Sequence, residues 1–226
     1  MTLQELISRQ NKVVPSTDQN FTAFWNNNNH NEWIKQETVL YQSRINPVNA
    51  EIEIYFRNID YTEVENLNVE DFYSFLYNCY FVWKYTPKNR LATTRASLKK
   101  HLDNLDTLSQ IKDNIFTFDR KNIRQGLEIA TSIKGLGVAG ASGLLAVLFP
   151  ADFGTVDQFV VKSLLSIDNI ENKSELLSMN PESLKINDGV TLIKMLKDKA
   201  QRLNDINYTD YWTPRKVDQV LWAYRV

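Results

Sequence analysis

Cysteine is almost missing from this chain. A single Cys79 in 226 residues excludes an internal disulfide framework and leaves a four-cysteine iron–sulfur cluster without ligands. His30 and His101 are the only histidines and lie far apart, so neither a zinc-ligand spacing nor a Ser/His/Asp pattern can be assembled. No metal and no other cofactor is expected. The 7 glycines and 6 prolines are too few for the frequent turns of a sandwich or barrel, and several prolines stand where helices would begin. The expected class is all-α. No apolar run approaches membrane-spanning length, and Met1-Thr2-Leu3-Gln4-Glu5-Leu6-Ile7 lacks the basic and apolar regions of a leader. A cytoplasmic protein with no membrane partner is expected. An excess of either charge is missing too, since 26 basic residues face 27 acidic ones. Bulk charge therefore does not make this a nucleic-acid binder, and any such role must come from local clustering. The length suffices for a sizeable core, and residues 1–226 are read as a single helical unit of two lobes sharing a cleft.

Apolar spacing supplies the elements. Leu3, Leu6 and Ile7 suggest a short first helix, and Phe21, Phe24 and Trp25 a second, capped by Ser16 or Thr17 and broken by the run Asn26 to Asn29. Trp33, Ile34, Val39 and Leu40 fit a third. Pro47 suits the first turn of a fourth, although Glu51-Ile52-Glu53-Ile54-Tyr55 also alternates like a strand. Asn68 caps an expected helix from Val69 to Tyr85, apolar on nearly every face and therefore central to the core. Pro87 ends it, and a helix carrying Leu91, Leu98 and Leu102 follows. Beyond a helix over Arg120 to Ile133 come an apolar one ending at Phe149, one after Asp157, polar loops near Asn169 to Ser174 and Asn180 to Asn187, a long amphipathic helix through Val190 to Leu203, and a last one opened by Thr213-Pro214.

The most informative stretch is Ile133-Lys134-Gly135-Leu136-Gly137-Val138-Ala139-Gly140-Ala141, continuing to Phe149 and followed by Thr155-Val156-Asp157. Two glycines around one leucine permit a tight turn between helices, using backbone angles barred to residues with a Cβ. The start of the second helix then offers backbone N–H groups and the positive end of a macrodipole, a combination that favours phosphate. Over Ile133 to Ser163 the chain resembles the helix-hairpin-helix DNA glycosylase superfamily of endonuclease III-like enzymes. Ile133 to Gly137 matches the Leu-Pro-Gly-Val-Gly turn, Ala141 the small residue of the second helix, and Val156-Asp157 the Val-Asp pair. The C-terminal Arg215-Lys216-Val217-Asp218-Gln219-Val220-Leu221-Trp222 also resembles a feature of uncharacterised bacterial proteins carrying such a hairpin, a likeness that names no activity.

The resemblance implies a two-lobed, glycosylase-like fold with the hairpin over about residues 120–150, double-stranded DNA as partner, and Asp157 as the catalytic carboxylate. Breaking an N-glycosidic bond builds cationic charge on the deoxyribose, which a neighbouring carboxylate stabilises. Asp157 is equally suited to capping the helix that follows it. Ala139 stands where strand-cleaving members carry a lysine nucleophile, which implies a monofunctional enzyme that leaves an intact abasic site. The expected DNA-binding residues are Lys134, Gly135, Leu136, Gly137, Ala139 and Lys162, together with Lys84, Lys88, Arg90 and Arg95. Those last four belong to a segment from Lys84 to Lys100 that contains no acidic residue and mixes cations, hydroxyls and aromatics, as nucleic-acid surfaces do. A non-catalytic hairpin module that binds DNA and a helical interaction protein are the alternatives.

Overall fold

The computed structural model describes residues 18–224, and the regular elements among them are all helical. The first helix expected at Leu3, Leu6 and Ile7, and the caps at Ser16 or Thr17, lie outside the described residues. Helix α1 (Asp18–Asn26) stops at the asparagine run, and Asn29 then caps α2 (His30–Lys35) by accepting from the Glu32 amide. A π-helical turn (Gln36–Leu40) carries α2 on into α3 (Tyr41–Arg44). The asparagine run is also a joint. Lys199 Nζ reaches it from a distant helix, donating to the Trp25 carbonyl at 2.5 Å and Asn28 Oδ1 at 2.8 Å while facing the Trp25 and Trp33 rings.

Asn46 caps a 3₁₀ turn (Pro47–Asn49) that leads into α4 (Ala50–Asn58), so the strand-like alternation there is not realised. The inward face of α4 explains why alternation misled: Phe56 and the carboxylate of Glu53 are buried, whereas Ile54 is 62 % and Tyr55 41 % exposed. A short α5 (Tyr61–Glu65) precedes α6 (Val69–Phe75), which Asn68 caps as expected. The apolar helix continues through a second π turn (Leu76–Tyr80) into α7 (Phe81–Lys84). Phe72, Leu76, Tyr80 and Phe81 are fully buried. An added residue of this kind shifts the phase of the helix and is frequent beside functional sites. Here it lies one turn before Trp83 and Lys84.

After Pro87 come α8 (Lys88–Leu98), a 3₁₀ turn (Lys99–His101) and α9 (Leu105–Thr117), an addition to the elements expected from the sequence. Asn122 caps α10 (Ile123–Thr131), and α11 (Val138–Leu148) follows with every residue except Ala139 buried. Each fully buried aliphatic side chain contributes about 1.5–3 kcal/mol, so this second apolar helix shares the centre of the core with α6 and α7. Asp157 precedes α12 (Gln158–Leu165), and a short α13 (Lys173–Ser178) occupies part of the stretch read as loop. The long α14 (Ile186–Asn207) packs on α10 and on the last helix, α15 (Pro214–Ala223), which Thr213 caps with proline in first position. No helix among the described residues is long and apolar enough to cross a membrane.

Candidate active site and nucleic-acid interface

The turn between α10 and α11 divides its work between two glycines. Gly135 has φ +100°, an angle that L side chains rarely adopt, and a Cβ there would stand 2.6 Å from the Thr94 carbonyl oxygen. Gly137 has an ordinary extended backbone, φ −90° and ψ −175°, and a Cβ there would meet nothing within 4 Å. Only Gly135 is therefore required by the turn itself. Buried Leu136 anchors the turn between them. The Lys134 amide donates to His101 Nε2 at 2.9 Å, and the Gly135 carbonyl accepts from the Tyr85 hydroxyl at 3.2 Å. Burial, with Lys134 nearby, pushes the His101 imidazole below its ordinary pKa, consistent with an unprotonated acceptor nitrogen. Donors for an incoming anion thus begin at the first turn of α11, whose N–H groups have no intrahelical acceptor and whose cap Gly137 adds no side-chain bond.

The basic segment lies against this turn. Thr94 of α8 touches Gly135, Arg90 stacks over Tyr85 at 5.6 Å, and exposed Lys134 reaches back to the Lys100 carbonyl at 3.5 Å. Lys88, Arg90, Lys99 and Lys100 are exposed. Arg95 differs, because its guanidinium donates twice to the Tyr77 carbonyl, at 2.9 and 2.7 Å, and lies over the Tyr77 ring. It staples the second π turn.

The stretch before α12 is pinned at successive residues. The Thr155 amide donates to Asp218 Oδ2 at 2.6 Å and the Val156 amide to Ser142 Oγ at 3.0 Å. Asp157 Oδ1 then accepts from the amides of Phe159 at 2.9 Å and Val160 at 3.3 Å, the cap anticipated for it. Its other oxygen, Oδ2, stands 3.6 Å from Lys84 Nζ, with the two side chains 17 % and 11 % exposed respectively. Burial pushes the Lys84 ammonium below its ordinary pKa, against the opposing pull of Asp157 and Asp218.

Two adjoining cavities share this pair. One, about 620 Å³, is lined by Gly137, Ala139, Arg90, Thr86, Glu182, Lys84 and Asp157. The other, about 400 Å³, runs from Lys84 and Asp157 to Trp83, Trp222, Tyr41 and Arg215. Both volumes fall in the range of roughly 300–1,000 Å³ usual for small-molecule pockets. The second cavity is backed by a buried polar network. Arg215 pairs with Asp218 at 2.7 Å and Glu53 at 3.6 Å and donates to Tyr41 and Thr155, while Glu53 accepts from Tyr41 at 2.8 Å and Trp83 Nε1 at 2.6 Å. Burial works against the Arg215 charge, but Asp218, Tyr41 and Glu53 outweigh it and hold the guanidinium above its ordinary pKa. Removing one member of such a buried set typically costs about 3–5 kcal/mol, so the network fixes the cavity wall.

The fold thus gathers Lys84, Arg90, Gly137, Ala139 and Asp157 at one place. Lys88, Lys134 and Lys162 lie exposed outside both cavities, with Lys162 Nζ 3.4 Å from Gln158 Oε1. Tyr41, Glu53 and Trp222 are additions to the site. The signal for Arg215 and Asp218 was their i, i+3 spacing on a helix; Glu53 is hidden inside an alternating run. No group of three or more His, Cys, Asp or Glu among the described residues is placed to hold a metal ion. Comparison with family models, with curated proteins and with solved structures gives no match.

Proposed function

We propose that the chain binds double-stranded DNA and is a DNA N-glycosylase, with α10, the Gly135 turn and α11 acting as a helix-hairpin-helix between two lobes. The observation that carries this reading is the sharing of Lys84 and Asp157 by two cavities, one bounded by a glycine-lined helix start and the other by aromatic side chains. A phosphate on the first turn of α11 sets a nucleotide beside Asp157. The base, which cannot be reached while stacked, is extruded into the cavity walled by Trp83, Trp222 and Tyr41. Asp157 Oδ1 is committed to its two amides, so Oδ2 is the oxygen available to the sugar cation and to the attacking water. The exposed cations of α8 and Lys134 extend the grip along the phosphate backbone, which a protein with no net basic excess needs.

The double amide cap on Asp157 favours a second reading, a DNA-binding module in which this carboxylate only starts α12. Duplexes bearing a panel of modified bases, incubated with the protein and then treated with alkali to open abasic sites, separate the two. Strand breaks in the treated samples support the glycosylase, and binding without breaks supports the module.

A further inference from the structure

We propose that His101 is a pH-sensitive latch: its neutral imidazole ties the basic segment to the Gly135 turn, and its protonation parts the two and weakens the hold on duplex DNA. The inference rests on the reading of that turn and segment as the DNA grip, to which it adds a means of regulation. His101 ends the 3₁₀ turn that follows α8 and is 1 % exposed. Its Nε2 accepts at 2.9 Å from the amide of Lys134, the residue before Gly135. An accepting Nε2 carries no proton, so the neutral ring holds its proton on Nδ1. That nitrogen is buried and has no hydrogen-bond partner among the described residues. Buried polar atoms are nearly always paired, and one left single calls for a reason.

The pocket accommodates the neutral ring alone. A proton added at Nε2 would point at the Lys134 N–H, donor against donor, and the resulting cation would find no acceptor at Nδ1 either. Its charge would also go unanswered. Lys99 and Lys100 flank it on its own turn, and Asp103 follows. The helices packed on that turn carry Lys88, Arg90 and Arg95 on α8, and Asp106, Lys112 and Asp113 on α9. Burial first, and then Lys134, which alone among these charged groups acts on the ring, hold the imidazole below its ordinary pKa of 6.5. A group whose pKa is depressed in the closed state loses that state as pH falls. At about pH 5 the parted form gains up to about thirtyfold over the latched one, the factor by which a free imidazole takes up its proton there. The cations of α8 and its 3₁₀ turn then lose their fixed place beside the first turn of α11.

The test compares the full chain with His101→Gln, whose Oε1 takes the place of Nε2 as acceptor for the Lys134 amide but does not titrate. Fluorescence anisotropy on a labelled duplex at fixed salt is read at about pH 7.5 and about pH 5. The expected result is a parent whose affinity falls in acid, by up to about thirtyfold, and a folded variant whose affinity does not. General charge effects run the other way, because protonating carboxylates favours DNA. The titrations of Lys199 and Asp218, both at about 7, are common to parent and variant. Parent affinity that holds or rises in acid, or an equal fall in folded His101→Gln, would overturn the proposal. Amide exchange of the parent without DNA, read by NMR alongside the His101 ring signals, decides the matter if the variant does not fold. Protection of the Lys134 amide should drop as His101 titrates, and protection that stays constant through that titration would overturn the latch. A parent that binds no duplex at either pH would sink the DNA reading instead, and the exchange result then judges the latch by itself.

Discussion

The two glycines of the turn separate folding from binding. Gly135→Ala forces a side chain to φ +100° and sets its Cβ 2.6 Å from the Thr94 carbonyl, a backbone atom that cannot swing aside. Left-handed strain of about 1–3 kcal/mol adds to an overpacking cost of about 1–3 kcal/mol. The expected loss is roughly 2–6 kcal/mol, which for a chain of this length lowers Tm by more than about 4 °C. Gly137→Ala meets nothing within 4 Å and keeps an allowed backbone, so its stability change stays within about 1 kcal/mol, the scale of an altered N-cap. What it adds is a methyl group where a phosphate would approach. Losing a charge-assisted hydrogen bond costs about 1.5–3 kcal/mol, so duplex affinity should fall roughly tenfold or more. Urea unfolding and fluorescence anisotropy on a labelled duplex measure the two quantities. Unchanged duplex affinity in Gly137→Ala would refute the placement of phosphate on α11, and an undisturbed midpoint in Gly135→Ala would refute the assignment of the turn.

Replacing Lys88 and Arg90 with Ala should weaken binding to all duplex sequences and flatten the salt dependence, the log–log slope falling by about 0.9 for each phosphate no longer neutralised; an unchanged slope assigns them to solvent. Arg95→Ala is expected instead to lower stability, because it strips two donors from the Tyr77 carbonyl, and a urea midpoint equal to the parent's would contradict that. Lys199 gives a pH signature. Burial, helped by Arg202, pushes its ammonium down to about 7 from an ordinary 10.5, so between those values the unfolded chain holds a proton that the folded one releases. Stability should therefore rise with pH across that window, and Lys199→Met should remove that rise. A parent curve with no excess slope over Lys199→Met would mean that the indole faces and two oxygen acceptors keep the proton in place.

Much of the helical frame was legible because its signals are local. Asn68, Thr213 and Pro214 act at the helix starts where they were expected, and Ile123, Leu127 and Ala130 face inward as their spacing requires. Two local readings were not sufficient. The alternation at Glu51 to Tyr55 gave no hint that Glu53 would be drawn inward by Arg215, some 160 positions away, while Ile54 turned outward. Helix α9 had an ordinary Asn104 cap and Leu108, Ile111 and Ile115 at helical spacing, a pattern available in the sequence. The site itself was half visible. Asp157 and the glycine turn announce themselves in one continuous stretch, but the meeting of Lys84 with Asp157 depends on a π turn that no spacing rule foretells. Likewise, the glycine pair alone does not reveal which member carries the left-handed angle.

The central claim is that Asp157 breaks a glycosidic bond, and Asp157→Asn tests it most directly. Asparagine is as good a cap as aspartate, so the two bonds from Phe159 and Val160 survive and α12 keeps its start. The charge is lost, and with it the ion pair between Oδ2 and Lys84 Nζ, so a melting curve must show that the variant is folded. The predicted result, on duplexes from the modified-base panel read out by alkali, is excision by the parent and a fall of ~10²-fold or more in the variant, with duplex affinity kept or raised. Equal excision by parent and variant, or none by the parent from any duplex of a broad panel, would contradict the claim and leave Asp157 as the cap of α12.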